Sequence, residues 1–465
     1  MLEKIKAFID AHESEMLADA MTLISINSER AEPKPGMPFG EGAAQAMAAG
    51  EQILRRCGFP VENRENYVLT ADLNDQPARL DILAHLDVVP AGEDWQVTEP
   101  FTPVVKDGML YGRGSADDKG PAMAALYAMC AVKELGIPLS GNCRLILGSD
   151  EECGSSDIRY YYEKERPAPM TFSPDADFPV INIEKGGLHL GVSAEIPQNG
   201  GVWLAEAGAG TKANVVPGKA RAAIAGMDPA VLRALAEKTE QATGVKFTLT
   251  EEDALVRVLA EGCFAHAASP EAGNNALTAL LAFLAEVPFT DAKTREAFAA
   301  LHRFFPHGDW NGKALGVNHW DEESGALTLS LNILTFDGER LFALFDSRAP
   351  LCANEENTSL PIRKQLEAAG FAVEGGKMNP PHHVPADTPF VHTLLDCYTR
   401  VTGKPGKPIA IGGGTYVHHL PNGVAFGCAE TDVDNRMHGP DEFMSVEQMK
   451  KSALIFALAI AELCK

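Results

Sequence analysis

Two short apolar runs flanking a helical stretch constrain this chain more than any other feature. "RLDILAHLD" (Arg79 to Asp87) and "CRLILGSDEE" (Cys143 to Glu152) each read as a buried strand that ends in charged residues. Between them, "GPAMAALYAMCAVKELG" has Pro121 near its start, Gly136 just past its end, and apolar residues at helical spacing. Strand, helix, strand in that order predicts an α/β fold: a mostly parallel sheet with helices on both faces, whose ligands lie beyond the carboxyl ends of the strands.

From about Gly186 the texture changes. "GGLHLGVSAEIPQNGG" alternates like a strand, "PAVLRALAEKTEQATG" reads as an amphipathic helix, and "GALTLSLNILTFDGE" and "RLFALFDSRAP" are further strands, the latter followed by the helix "SLPIRKQLEAAG". Gly375, Gly376, Pro380 and Pro381 punctuate the end of this α+β stretch. Two helices follow, "FVHTLLDCYTRVTG" and "SVEQMKKSALIFALAIAELCK", the second opened by a Ser445/Gln448 capping box. The expected organisation is therefore a first domain in two parts, residues 1–185 and 381–465, interrupted by an inserted domain over 186–380.

Composition narrows the function. With 465 residues and 45% hydrophobic, the chain can bury more than one core. Forty basic against sixty-four acidic residues give a net charge of -24, which repels phosphate backbones and excludes a nucleic-acid partner. The nine cysteines are scattered and never spaced C-x-x-C, which argues against a disulfide framework and a zinc knuckle and fits a reducing cytoplasm. "MLEKIKAFIDAHESEMLADAM" reads as a helix face and not as a signal peptide, and the longest apolar run, Ala453 to Ala461, falls far short of the roughly 20 residues that cross a bilayer. No membrane role is expected.

The strand ends carry the chemistry. His85 and Asp87 stand two apart, an imidazole beside a carboxylate that can fix its tautomer, although a surface hydrogen bond would use the same pair. "YGRGSADDKGP" places Asp117 and Asp118 at a helix start, where capping is the plain alternative. In "SDEECG" the adjacent Glu151 and Glu152 repel unless a cation or a proton divides their roles; an acidic turn is the alternative there. Together these clusters, with Asp175 in "FSPDADFPVINIEKGG" and His438 in "NRMHGPDEF", form a donor set of carboxylates and imidazoles without thiolates, suited to zinc, manganese or cobalt more than calcium. "IGGGTYVHH" offers glycine amides, Gly413 and Gly414 among them, that could hold a carboxylate or a substrate backbone; it lacks the ending of a phosphate loop, and His418 and His419 receive no role.

"LAHLDVVPAGEDW", "PFTPVVKDGMLYGRGSADDKGP", "GSDEECGS", "SPDADFPVINIEKGG" and "NRMHGPDEF" resemble the M20 metallopeptidase family, and most of all its bacterial dipeptidase branch of the PepV-like, Xaa-His type. The resemblance implies a two-metal site, zinc first and manganese or cobalt as alternatives. His85, Asp117 and Asp175 would hold one ion; Asp117 as the bridge, with Glu152 and His438, would hold the other. Asp87 matches the aspartate behind the ligands, and Glu151 the general base that takes a proton from a water ionised between the ions. The peptide bond between Asp117 and Asp118 is cis in the family. The insertion resembles an enlarged lid: His266 in "GCFAHAASPEAGNNA" would reach the oxyanion, Asn214 in "TKANVVPGKA" and Arg348 in "LFDSRAP" would contact substrate, and Arg348 could make a forked hydrogen bond to a terminal carboxylate. The expected function is hydrolysis of short peptides, chiefly dipeptides, by a monomer. N-acyl amino acid deacylation with the same metals, or a noncatalytic metal-binding scaffold, are the other readings. Ala349-Pro350 departs from relatives that carry an aromatic before the proline.

Overall fold

The computed structural model describes residues 1–198 and 200–465. The chain forms two compact units: Met1–Ile183 with His383–Ile409 and Gly414–Lys465, and Glu184–His382 with Ala410–Gly413. The last four residues depart from the expected 381–465 segment. They go with the second unit because Ile411 O accepts the Lys185 N–H at 2.9 Å and Gly412 O accepts from Arg348 Nη1 at 2.8 Å.

In the first unit, the two apolar runs around Ile82 and Ile146 become the strands Ala78–His85 and Asn142–Gly148, parallel neighbours with His85 opposite Gly148. Met170–Ser173 and then Gly423–Ala425 continue the parallel set, whereas Val61–Arg64 and Val68–Asp72 run antiparallel at the margin. The sheet is thus parallel at its centre and mixed overall. Period-two alternation sorts its side chains: Leu80, Ile82, Ala84, Leu145 and Leu147 enter the main core, and Leu83 and Ile146 enter a smaller one with Ile158, Tyr161 and Tyr416 on the opposite face. Between them the helix Lys119–Glu134 is buried along nearly its whole length, so it reads as apolar all round, and the helix Val446–Leu463 packs against it. Gly136, at φ +60°, stops the first of these. The capping box at Ser445 is half made: Ser445 Oγ accepts the Gln448 N–H at 3.3 Å, but the Gln448 amide donates instead to Cys428 O at 2.8 Å.

The second unit is an eight-stranded sheet in which every neighbouring pair is antiparallel, carrying the helices Pro229–Thr243, Ala276–Glu286 and Ala292–Phe304 over its own core.

One buried ion pair crosses the parallel centre of the first unit. Asp81 is fully buried and takes a two-pronged bond from its ladder partner Arg144, Nε to Oδ1 and Nη2 to Oδ2, both at 2.9 Å. Removing the cation strands the carboxylate, so Arg144→Met is expected to cost about 3–5 kcal/mol, read as a lower urea midpoint for the first unit.

Candidate metal centre

The parallel strands deliver the first groups. Ala78–His85 ends on His85, whose ring is fully buried and stands edge-on to Tyr416, centroids 6.1 Å apart. His85 Nδ1 lies 3.0 Å from the Asp87 carbonyl oxygen, which can only accept; Nδ1 therefore carries the proton and Nε2 presents a lone pair. That lone pair points at Asp117 Oδ1, 3.1 Å away, and Asp175 Oδ2, 3.5 Å away. The other oxygen of Asp117 is 2.9 Å from His438 Nε2, which is 3.4 Å from Glu152 Oε1. Asp117 thus joins two trios, His85–Asp117–Asp175 and Asp117–Glu152–His438, with the ligand atoms of each within 4.8 Å of one another.

These trios fit divalent ions. Tetrahedral donors about 2.1 Å from a zinc ion stand roughly 3.4 Å apart, and the observed separations of 2.9 to 3.5 Å bracket that value. His85 Nε2 and Glu152 Oε1 are buried without a hydrogen-bond partner, as donors reserved for a metal would be. Electrostatics agree. Burial opposes ionisation of Asp117, yet the adjoining imidazoles of His438 and His85 prevail and hold its carboxyl well below the usual range. The carboxylates of Asp117 and Glu152 beside it push His438 up to about 11. Burial first, and neighbouring carboxylates second, push Asp175 up to about 7, and burial raises Glu151 and Glu152 as well. So much negative charge in one buried place needs positive charge among it, from protonated rings or from cations.

The surrounding contacts replace the plainer readings of these residues. Asp118 is the N-cap of the Lys119–Glu134 helix but makes no side-chain cap bond; its Oδ2 accepts the His85 backbone N–H at 3.1 Å, across the cis Asp117–Asp118 bond. Asp87 accepts the N–H groups of Glu151 and Glu152 with its two oxygens, each at 3.1 Å, so it shapes the acidic loop. Its own Oδ1 is 3.4 Å from His85 Nδ1, whose close partner is the Asp87 carbonyl.

Sequence reasoning missed several supports. Glu442 is fully buried and accepts from the backbone of Gly114, Ala116 and Asp117 at 2.8 to 3.2 Å, and from Arg113 Nη1 at 2.6 Å. Asp441 Oδ1 takes the N–H groups of Gln96 and Val97 at 2.9 and 2.8 Å. Both lie in the motif that supplies His438, and two acids so close to a candidate ligand were the available signal. Asp157, whose Oδ2 accepts from Tyr416 Oη at 2.5 Å and from the N–H groups of Ser149 and Asp150 at 2.6 and 2.9 Å, gave none. The tyrosine ring fits because residue 148 is glycine: a Cβ there would stand 2.0 Å from Tyr416 Oη.

The ligand trios, Asp87, Glu151 and Gly414 belong to the first unit; Asn214, His266, Arg348 and Gly413 belong to the second. There a two-residue ladder sets Val215 opposite His266, and Asn214 O accepts the Ala267 N–H at 2.9 Å. His266 Nδ1 accepts from the Ala268 N–H at 3.1 Å, and Ala268 packs on Gly412, whose carbonyl holds Arg348. These candidates are therefore neighbours. His418 and His419 lie on a short 3-10 turn behind Tyr416.

A parallel-centred α/β sheet with carboxylates and imidazoles gathered at its strand ends defines a metallohydrolase-like architecture, and comparison with known proteins gives the class. The sequence profile of Peptidase family M20/M25/M40 matches residues 82–462, and the chain belongs to that family: it is a peptidase, an enzyme that hydrolyses peptide bonds. It is 33% identical over 467 residues to the Beta-Ala-Xaa dipeptidase of Lactobacillus delbrueckii subsp. lactis, covering 99% of this chain and 98% of that one. It is likewise 33% identical to YtjP of Bacillus subtilis (strain 168), over 97% of each chain. The fold is shared with human carnosine dipeptidase 1 (TM-score 0.62, 16% identity, 100% and 98% of the chains) and with aminoacylhistidine dipeptidase from Vibrio alginolyticus (TM-score 0.56, 17% identity, 97% and 96%). No helix among the described residues is long and apolar enough to cross a membrane.

Because Glu442 holds the loop that presents Asp117, Glu442→Gln is expected to weaken metal binding by about 10- to 100-fold, measured by competition with a chromophoric chelator while the thermal transition is followed in parallel.

Proposed function

We propose that the protein is a dinuclear, zinc-dependent dipeptidase acting as a cytoplasmic monomer, whose second unit serves as a lid. The observation that carries this is the position of Asp117, one oxygen toward each of two imidazoles that are each backed by a further carboxylate. The name of the Lactobacillus relative, a Beta-Ala-Xaa dipeptidase, supports the substrate class.

Bound at the two trios, divalent ions supply Lewis acidity, lowering the pKa of a water toward neutrality and polarising a scissile carbonyl. Everything else falls to side chains. Asp87 holds the backbone of Glu151 and Glu152, which fixes where the Glu151 carboxylate stands. Glu151 accepts the proton of the attacking water and later hands it to the leaving amine, so the proton is conserved across the cleavage. His266 contributes a donor: since its Nδ1 accepts from a backbone N–H, the neutral ring carries its proton on Nε2, the form suited to a developing oxyanion. Asn214, Arg348 and the Gly413–Gly414 amides would hold the termini of a substrate only two residues long.

Two outcomes test this reading. Glu151→Gln is expected to keep its metal content, by elemental analysis, while kcat on a dipeptide panel falls ~10²–10⁴-fold; loss of metal together with activity would place Glu151 among the ligands, and preference for N-acylated amino acids over free dipeptides would favour deacylation. His266→Ala is expected to lower kcat ~10²–10³-fold with metals retained, and a fully active variant would remove this histidine from the reaction.

A further inference from the structure

The second unit carries an ion pair that sequence reasoning did not find. Asp346 and Arg348 stand two apart on the strand Arg340–Ala349 and so share a face. Asp346 is fully buried. Its Oδ1 accepts from Arg348 Nε at 2.8 Å, and its Oδ2 accepts from Arg348 Nη2 at 2.9 Å and from His189 Nε2 at 2.7 Å. The guanidinium is pinned at a third point by Nη1, which donates to Gly412 O at 2.8 Å. Gly412 in turn abuts the turn that carries His266, since a Cβ on it would stand 2.7 Å from Ala268 Cβ.

A guanidinium has five N–H donors. Asp346 takes one on Nε and one on Nη2, and Gly412 takes one on Nη1, which leaves one on each terminal nitrogen. The Nε edge is occupied by Asp346, so a substrate carboxylate can approach only the terminal edge. Asp346 also removes freedom. A free arginine side chain gives up rotamer entropy when it is fixed, and here that ordering is complete before any ligand arrives.

We infer that Asp346, backed by His189, is a positioning residue that presents the terminal edge of Arg348 to the free α-carboxylate of a dipeptide, and so sets the selectivity for substrates ending in that group. This rests on the reading of Arg348 as a substrate contact. Asn at position 346 would keep the shape but place an NH2 against one of the arginine donors, breaking the fork.

The test compares kcat/KM for a dipeptide with that for its C-terminal amide, in the parent, Asp346→Asn, Arg348→Met and the double variant, each with its metal content measured. In Arg348→Met the acid-to-amide ratio is expected to fall about tenfold or more, the loss of a charge-assisted bond. Asp346→Asn is expected to lower it by a similar factor, mainly through KM for the acid, and to add nothing in the Arg348→Met background. A parent-like ratio in Asp346→Asn beside a collapsed ratio in Arg348→Met overturns the inference alone, as does a further fall in the double variant. A parent-like ratio in Arg348→Met overturns the substrate contact and the inference with it. Should Asp346→Asn fail to fold, His189→Ala alters a side chain that is 53% exposed and removes one of the three bonds to Asp346; it is expected to lower the ratio about two- to tenfold, and an unchanged ratio counts against the proposal.

Discussion

A carboxylate placed between two imidazoles, each backed by another carboxylate, survives in a protein interior only if positive charge sits among the groups. Asp117 is that carboxylate, and the rest of the first unit is arranged around the demand it makes. Strand ends bring His85 and the Glu151–Glu152 loop from one direction; the segment before the buried helix brings Asp117 from another; His438 arrives from 321 residues further along the chain than Asp117. Repulsion among such groups would spread them apart unless each were tied down. The ties are backbone amides: Asp87 holds two in the acidic loop, Glu442 holds three before and at Asp117, and Asp118 holds that of His85. Acid groups here restrain other acid groups through the main chain, which keeps the donor set poised without spending the donor oxygens themselves.

How much of this was legible in the sequence depended on whether a signal was local. The strand–helix–strand order and the apolar runs were local, so the parallel centre of the sheet could be read directly; its antiparallel margin, built from Val61–Arg64 and Val68–Asp72, carries no pattern that distinguishes direction. The candidate ligand residues were legible as clusters because each sits in a short polar motif, yet their assembly into two trios sharing Asp117 came from the family resemblance, since spacing along the chain says nothing about which motifs meet. Asp157 and Tyr416 were illegible for the same reason: an aspartate in a surface-like helix and a tyrosine in a glycine-rich loop become partners only through the fold. Asp346 shows a subtler failure. "DSR" marked Arg348 as a candidate, but a neighbour two residues away was not considered as the group that would occupy its donors.

The bland alternatives were also decided by particular contacts. Capping explained Asp117 and Asp118 adequately as sequence, and the helix they precede has no side-chain cap. A capping box explained Ser445 and Gln448, and only half of it forms because Cys428 O offers the glutamine amide a partner. In both cases a tertiary acceptor or donor outcompeted the local one, as is usual when a short polar side chain lies near a crowded loop.

The division of the first unit into separated stretches has a bearing on how the molecule comes into being. Residues 184–382 form almost the whole of the other unit and can collapse around their own core before the helix Val446–Leu463, which lies against Lys119–Glu134, has been synthesised. Until it arrives the longest-buried helix of the molecule has a bare flank, and His438 has only just emerged. Peptide-cleaving competence would therefore be acquired only after the other unit has had the chance to fold.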